Sequence, residues 1–292
     1  MDSIRIGRFL LLVLGSTVIA AFSAFFVIGL GHPGSPAIPT ADSDQRMVVN
    51  GHTIRFRAHG NEGPAIVFLH GFGGSLEEWD EVISRLPKAR CYSLDLLGFG
   101  GSDRPLTDYS LEGQRQQLVA FMDALGIDRA VLVGRSMGAS LAVWTAAKSG
   151  ERISGAVVIA PSAYPGSLKY RWPVSWVYRP GFWNWLVSVF VNNRPFGYFF
   201  PLSLARQGVG VTASYNQSFV DALAEVTQPV LLVWSAGDKR VPSTYEQAYR
   251  DRMKNTRTLL LPASVGHSAS TNASNEVAAG VVELLGRIPL RK

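Results

Sequence analysis

The chain has 292 residues, of which 47% are hydrophobic and 17% charged, so it is neither a disulfide-stapled mini-protein nor an intrinsically disordered chain. Its single cysteine, Cys91, excludes an intrachain disulfide and any CxxC zinc or redox site. The net charge of +6 admits nucleic acid, an anionic membrane or an acidic substrate as partner, and a charged fraction below the ~25% of an average soluble domain points to an apolar segment outside an ordinary water-facing fold.

That segment comes first. Residues 9–30 carry no charge over 22 positions, about 33 Å of helix, enough to cross a hydrocarbon core. Arg5 and Arg8 precede it, and the next basic residue is Arg46. The asymmetry puts the N-terminus in the cytoplasm and the rest of the chain on the outer, extracytoplasmic face. A cleaved signal peptide competes with a retained anchor, but its apolar core is usually about 7–15 residues, and Ser35-Pro36-Ala37 is a poor cleavage site. An ordinary soluble-domain helix is the other alternative. The expected organisation is an anchor over 1–31, a Pro/Gly/Ser-rich linker over 32–45, and one folded domain over 46–292.

Within that domain, Val48-Val49-Asn50-Gly51-His52-Thr53-Ile54 reads as a hairpin, with β-formers flanking Asn-Gly. Strand-like and helix-like segments then alternate. Strands are expected over 65–69, 91–96, 130–133, 153–160, 229–234 and 258–261. Helices are expected over 76–86, 111–125 and 138–149, with further helical stretches after the last two strands. Alternation of this kind specifies βαβ units and a mostly parallel sheet, an α/β fold. Ligands in such sheets bind beyond the carboxyl ends of the strands.

Chemistry-bearing residues sit at those ends. Gly134-Arg135-Ser136-Met137-Gly138 lies between the strand at 130–133 and an Ala-rich helix. A nucleophile at such a corner needs a tight, strained turn, and the flanking glycines leave room for it. A serine needs a base. The five histidines are His32, His52, His59, His70 and His267. His267 follows the last strand on a loop, where an imidazole can reach the serine. The base needs an orienting acid, and Asp238 ends the apolar strand Leu231-Leu232-Val233-Trp234-Ser235 through Ala236-Gly237. Taken singly, the three also fit a helix-cap serine, a surface histidine and a turn aspartate. His70-Gly71-Phe72-Gly73-Gly74-Ser75 follows another strand end, where glycines let backbone N–H groups turn inward. With the N–H of Met137 they can hold a developing oxyanion. A plain Gly-rich turn is the alternative.

Taken in order, His70-Gly71-Phe72-Gly73, Asp95-Leu96-Leu97-Gly98-Phe99-Gly100-Gly101-Ser102, the corner at Ser136, Gly237-Asp238 and Gly266-His267 resemble the α/β-hydrolase superfamily over about residues 47–292. The resemblance implies an α/β-hydrolase fold, with Ser136 as nucleophile, His267 as base and Asp238 as its orienter. It also implies backbone oxyanion donors at Phe72 and Met137, and no metal or cofactor. A serine at the corner argues against the dehalogenases and epoxide hydrolases of this fold, which use aspartate there. Asp95 to Ser102 is taken as structural turn chemistry. Arg135, a charge directly beside the nucleophile, departs from expectation.

The alternation stops over about 163–222, where the resemblance implies a helical cap inserted over the site. Positions 163–200 hold 13 aromatics, and 163–220 hold Lys169, Arg171, Arg179, Arg194 and Arg206 with no acid. Such content suits a membrane interface or an apolar acyl pocket with a cationic rim; an ordinary cap core with a solvated basic face is the alternative. An outer-face location argues against nucleic acid. The reading is a membrane-anchored serine hydrolase of carboxylic esters with an apolar acyl part, its partners a small-molecule ester and membrane lipid. A C–C bond hydrolase or acyltransferase would use the same triad. A catalytically silent binding or scaffold protein would be expected to have a broken one.

Overall fold

The computed structural model describes residues 41–86, 89–105, 107–168 and 200–288, with the backbone alone for 200–206. The segment at 9–30 expected to be an anchor, most of the linker, and residues 169–199 of the expected cap lie outside the described residues. Among the described residues no helix is long and apolar enough to cross a membrane.

The apolar runs become strands. The described residues form one eight-stranded sheet: β1 (Gln45–Val49), β2 (His52–His59), β3 (Ala65–Leu69), β4 (Arg90–Leu94), β5 (Ala130–Arg135), β6 (Ile153–Ile159), β7 (Val230–Ser235) and β8 (Thr256–Leu261), in the order β1-β2-β4-β3-β5-β6-β7-β8. β1 and β2 pair antiparallel through the Asn50-Gly51 turn, where both residues have positive φ (51° and 77°). β2 pairs antiparallel with β4, and every later pairing is parallel. The central strands are mostly apolar because both faces are covered. On β3, Ala65, Val67 and Leu69 enter the core on one face, while Ile66 and Phe68 enter that on the other.

Helices fill the crossovers. A 3₁₀ turn (Leu76–Trp79) runs into α1 (Asp80–Ile83); α2 (Leu111–Ala124), α3 (Met137–Lys148), α4 (Phe200–Ala213), α5 (Gln217–Ala222), α6 (Glu246–Arg250), α7 (Ala269–Asn272) and α8 (Ser274–Arg287) follow. The helix expected over 76–86 is thus two short pieces. The backbone N–H of Leu76 is taken by Asp95 Oδ1 (2.7 Å), and the Glu77 and Glu78 carboxylates turn inward to arginines. Tertiary electrostatics, rather than helical amphipathicity, sets the shape of this segment.

The sheet edge near β2 is held by charge. Arg55, fully buried, bonds Asp44 Oδ2 through Nε (2.8 Å) and Asp95 Oδ2 through Nη1 (3.0 Å), and pairs with Glu77. Arg57 bridges Asp44 (2.6 Å) and Asp80 (2.8 Å). Burial opposes the charge on Asp44, but bonds from Arg57 and Arg55 hold its carboxyl below the ordinary range. Asp95 also accepts from the Gly101 N–H (2.6 Å), and Ser102 Oγ donates to the Asp95 carbonyl (2.7 Å). Gly100 must be glycine: its φ is 52°, and a Cβ would lie 2.1 Å from the Asp95 carboxyl carbon. The Asp95–Ser102 motif is the linchpin of this corner.

Removing one partner from a buried ionic cluster leaves the others uncompensated. Arg55→Met should therefore cost about 3–5 kcal/mol of unfolding free energy, measured by urea titration followed by far-UV circular dichroism.

Candidate active site

Ser136 occupies the single residue between β5 and α3, with φ 54° and ψ −111°. A side chain in that conformation carries strain. Its surroundings enforce it. The Ser136 N–H donates to the Ile159 carbonyl (2.8 Å), and the Ser140 N–H donates to the Ser136 carbonyl (3.0 Å). A Cβ on Gly134 would meet the Gly138 carbonyl at 2.4 Å, and one on Gly138 would meet the Leu69 carbonyl at 2.1 Å. The two glycines let β3, β5 and α3 close on the corner. The first-turn N–H groups of α3, Met137's among them, have no intrahelical acceptor and carry the positive end of the helix dipole.

His267 and Asp238 come together from separate loops. Asp238 Oδ2 lies 2.7 Å from His267 Nδ1, which leaves Nε2 as the nitrogen available to a substrate or nucleophile. Asp238 is buried, and its Oδ1 accepts the N–H groups of Arg240 (2.8 Å) and Val241 (2.9 Å). Burial alone would raise the carboxyl pKa, but the His267 contact and the two amides hold it below the ordinary carboxylate range. Ser235 gathers the two loops. Its Oγ donates to the Pro262 carbonyl (2.8 Å) and accepts from the N–H groups of Gly266 (3.0 Å) and Gly237 (3.3 Å). A Cβ on Gly237 would sit 2.1 Å from the Ala263 carbonyl.

Ser136 and His267 line one cavity, walled on its apolar side by Phe72, Leu168, Val211 and Tyr215. Leu168, Val211 and Tyr215 belong to the two described ends of the insertion, so its ends form part of the wall. Phe72 packs edge-on against Phe99 (5.4 Å between ring centroids) and is half-exposed at the cavity. Met137 is buried. All five residues singled out from the sequence thus fall at one end of the sheet. Sequence reasoning missed Ser235 and the pair Ser162–Tyr215, whose hydroxyls lie 2.8 Å apart on the cavity wall. Burial pushes the Tyr215 phenol upward. A serine closing a strand and a tyrosine after a helix carry no local signal.

His70, the other histidine beyond a strand end, is locked away from the cavity. Its Nε2 accepts from the Leu96 N–H (3.0 Å), so Nδ1 bears the proton and donates to the Gly71 carbonyl (2.7 Å). Complete burial pushes its pKa below the ordinary value and keeps it neutral. Among the described residues no group of three or more His, Cys, Asp or Glu converges as a metal site.

A mostly parallel sheet with a strained serine at the turn after β5, and an Asp–His pair beyond β7 and β8, defines a protein of the α/β-hydrolase fold. A family model described as "alpha/beta hydrolase fold" matches residues 64–195 of this chain. A haloalkane dehalogenase of Mesorhizobium japonicum is 34% identical over 125 residues, 42% of this chain and 40% of the relative. A human 1-acylglycerol-3-phosphate O-acyltransferase is 34% identical over 118 residues, 39% of this chain and 34% of the relative. The aligned stretches thus span well under half of these two proteins. A solved membrane phospholipase A, a bacterial virulence factor, superposes with a TM-score of 0.65 at 22% identity, covering 98% of this chain and 99% of that one.

Two measurements check the energetics of this region. Alanine at position 136 keeps a Cβ in a strained conformation and glycine does not. Ser136→Gly should therefore be more stable than Ser136→Ala by about 1 kcal/mol in urea unfolding. For His70, the folded pKa is depressed, so the unfolded chain takes up a proton as pH falls through about 6.5 while the folded protein does not. The stabilisation is present above that pH and is lost on acidification. The urea midpoint should fall between pH 7 and 5, and His70→Asn, which can mimic both ring hydrogen bonds, should flatten that slope.

Proposed function

We propose that the protein is a serine hydrolase that cleaves carboxylic esters with an apolar acyl part. The observation that carries the reading is the 2.7 Å contact between Asp238 and His267, with His267 and Ser136 on the wall of one largely apolar cavity. His267 Nε2 takes the Ser136 Oγ proton as the oxygen attacks the ester carbonyl. The backbone N–H groups of Phe72 and Met137 receive the charge on the carbonyl oxygen. Collapse of the tetrahedral species expels the alcohol, protonated by His267, and leaves an acyl-enzyme. Water, deprotonated by His267, then releases the acid and regenerates the serine. Asp238, kept ionised, holds the imidazole tautomer and steadies the imidazolium. The chemistry requires neither metal nor cofactor.

Phe72, Leu168, Val211 and Tyr215 offer the acyl chain an apolar wall. The uncharged run at 9–30 supports anchoring to a membrane, with the hydrolase domain on its outer face, where lipid esters are at hand. The name of the membrane phospholipase A, similar in fold, agrees with that reading. Acyl transfer is the second reading, favoured by the name of the human relative: an alcohol in place of water would take the acyl group from the same intermediate.

A fluorophosphonate probe should label the wild-type protein and not Ser136→Ala, while labelling of the alanine variant would refute the nucleophile. Asp238→Asn should lower kcat by about 10⁴-fold. In a p-nitrophenyl ester series, kcat/KM should rise with acyl length, and preference for acetate would contradict the apolar pocket. After an alkaline-carbonate wash the protein should stay with the membranes.

A further inference from the structure

Glu78 is a nearly buried carboxylate that the triad does not use, and it touches three parts of the site at once. Arg135 Nη2 donates to its Oε2 (2.8 Å), and Arg135 Nε donates to its Oε1, a two-pronged ion pair. The Gly71 N–H donates to Oε2 (3.3 Å), and Ser270 Oγ donates to Oε1 (2.8 Å). Arg135 immediately precedes Ser136. Gly71 immediately precedes Phe72, whose N–H is a proposed oxyanion donor. Ser270 lies three residues beyond His267, in α7. The Gly71 backbone lies directly on the guanidinium, since a Cβ there would be 2.7 Å from Arg135 Nη2. Glu78 itself is carried by the 3₁₀ turn Leu76–Trp79, which is pinned by Leu76 N–H to Asp95 and by Glu77 to Arg55.

We propose that Glu78 and Arg135 are positioning residues for the hydrolysis at Ser136, fixing the oxyanion loop, the nucleophile turn and the histidine segment to one rigid ionic joint. The proposal rests on the serine-hydrolase reading above. A buried ion pair is a poor source of stability, because desolvation offsets its Coulomb energy. It is directional, however, and a guanidinium–carboxylate fork fixes distance and plane together. The three segments come from three crossovers of the sheet and share no continuous backbone, so their spacing depends on what joins them. A glutamine at position 78 has one acceptor oxygen for four donors, and it sets an NH₂ group against the arginine. An oxyanion donor displaced by a fraction of an ångström loses its preference for the transition state while leaving substrate binding intact.

The test uses the full-length protein and the variants Glu78→Gln, Arg135→Gln, the double variant and Ser270→Ala. Active sites are counted by fluorophosphonate titration. Each Glu78 and Arg135 variant should lose about 10–100-fold in kcat and in the rate of labelling; for Glu78→Gln, whose side chain does not line the cavity as Arg135's does, KM should stay within about twofold of wild type. The double variant should resemble the singles rather than multiply them, because one joint is broken in each. Arg135→Lys, which keeps the charge but not the fork, should recover part of the rate. Ser270→Ala removes only the third arm and should lower the labelling rate several-fold, which keeps the test decisive if the charge variants fail to fold. Wild-type rates in folded Glu78→Gln, or in Ser270→Ala if only that variant folds, would overturn the joint. So would a raised KM with unchanged kcat. If Ser136→Ala is still labelled, the hydrolase reading has failed; if labelling needs Ser136 yet Glu78→Gln labels at the wild-type rate, only the joint has.

Discussion

The site depends on one backbone constraint: a serine held at φ 54° in the single residue between a buried strand and the helix that follows it. The strain is maintained because every neighbour of the corner is committed elsewhere. Gly134 and Gly138 admit carbonyls where side chains would collide, and Ser136 is bonded through its own N–H to β6. The positive end of the α3 helix dipole thereby lies at Ser136, and the serine stands at the sheet end where the other loops open. A relaxed turn would lower the strain and point the side chain elsewhere.

Two charge systems support that corner from outside, and adjacent residues divide between them. Glu77 turns to Arg55 and, with Arg57, to the cluster beside β2; Glu78 turns to Arg135 beneath the loop that begins at Gly71. One short 3₁₀ turn thus links the edge of the fold to its chemistry. Asp95 contributes to the same arrangement by taking both the first N–H of the turn and the Gly101 N–H.

The Asp238–His267 pair is assembled by a different device. Ser235, the last residue of β7, bonds to both loops that carry the pair, and Gly237 allows them to touch. The cavity they face takes part of its apolar wall from Leu168, Val211 and Tyr215, at the two described ends of the insertion. The basic excess of the sequence belongs largely to that insertion: its five basic residues stand against a net charge of +6 for the whole chain.

The sequence by itself determined the α/β class, the strand positions and the five candidate residues. Buried parallel strands need continuous apolar runs, and tight corners need glycines at fixed offsets; both are local patterns. It also marked Ser136, Asp238 and His267 as residues at strand ends, and sheet topology then converges such ends on one rim. The tertiary structure alone decided that His70 is a neutral, locked side chain. It also broke the helix expected over 76–86 and gave Arg135 a partner. The last of these rests on contacts between residues 57 and 192 positions apart, Arg135–Glu78 and Ser270–Glu78. No window of sequence contains them, because charge pairing and desolvation depend on which groups the fold brings within a few ångströms of each other.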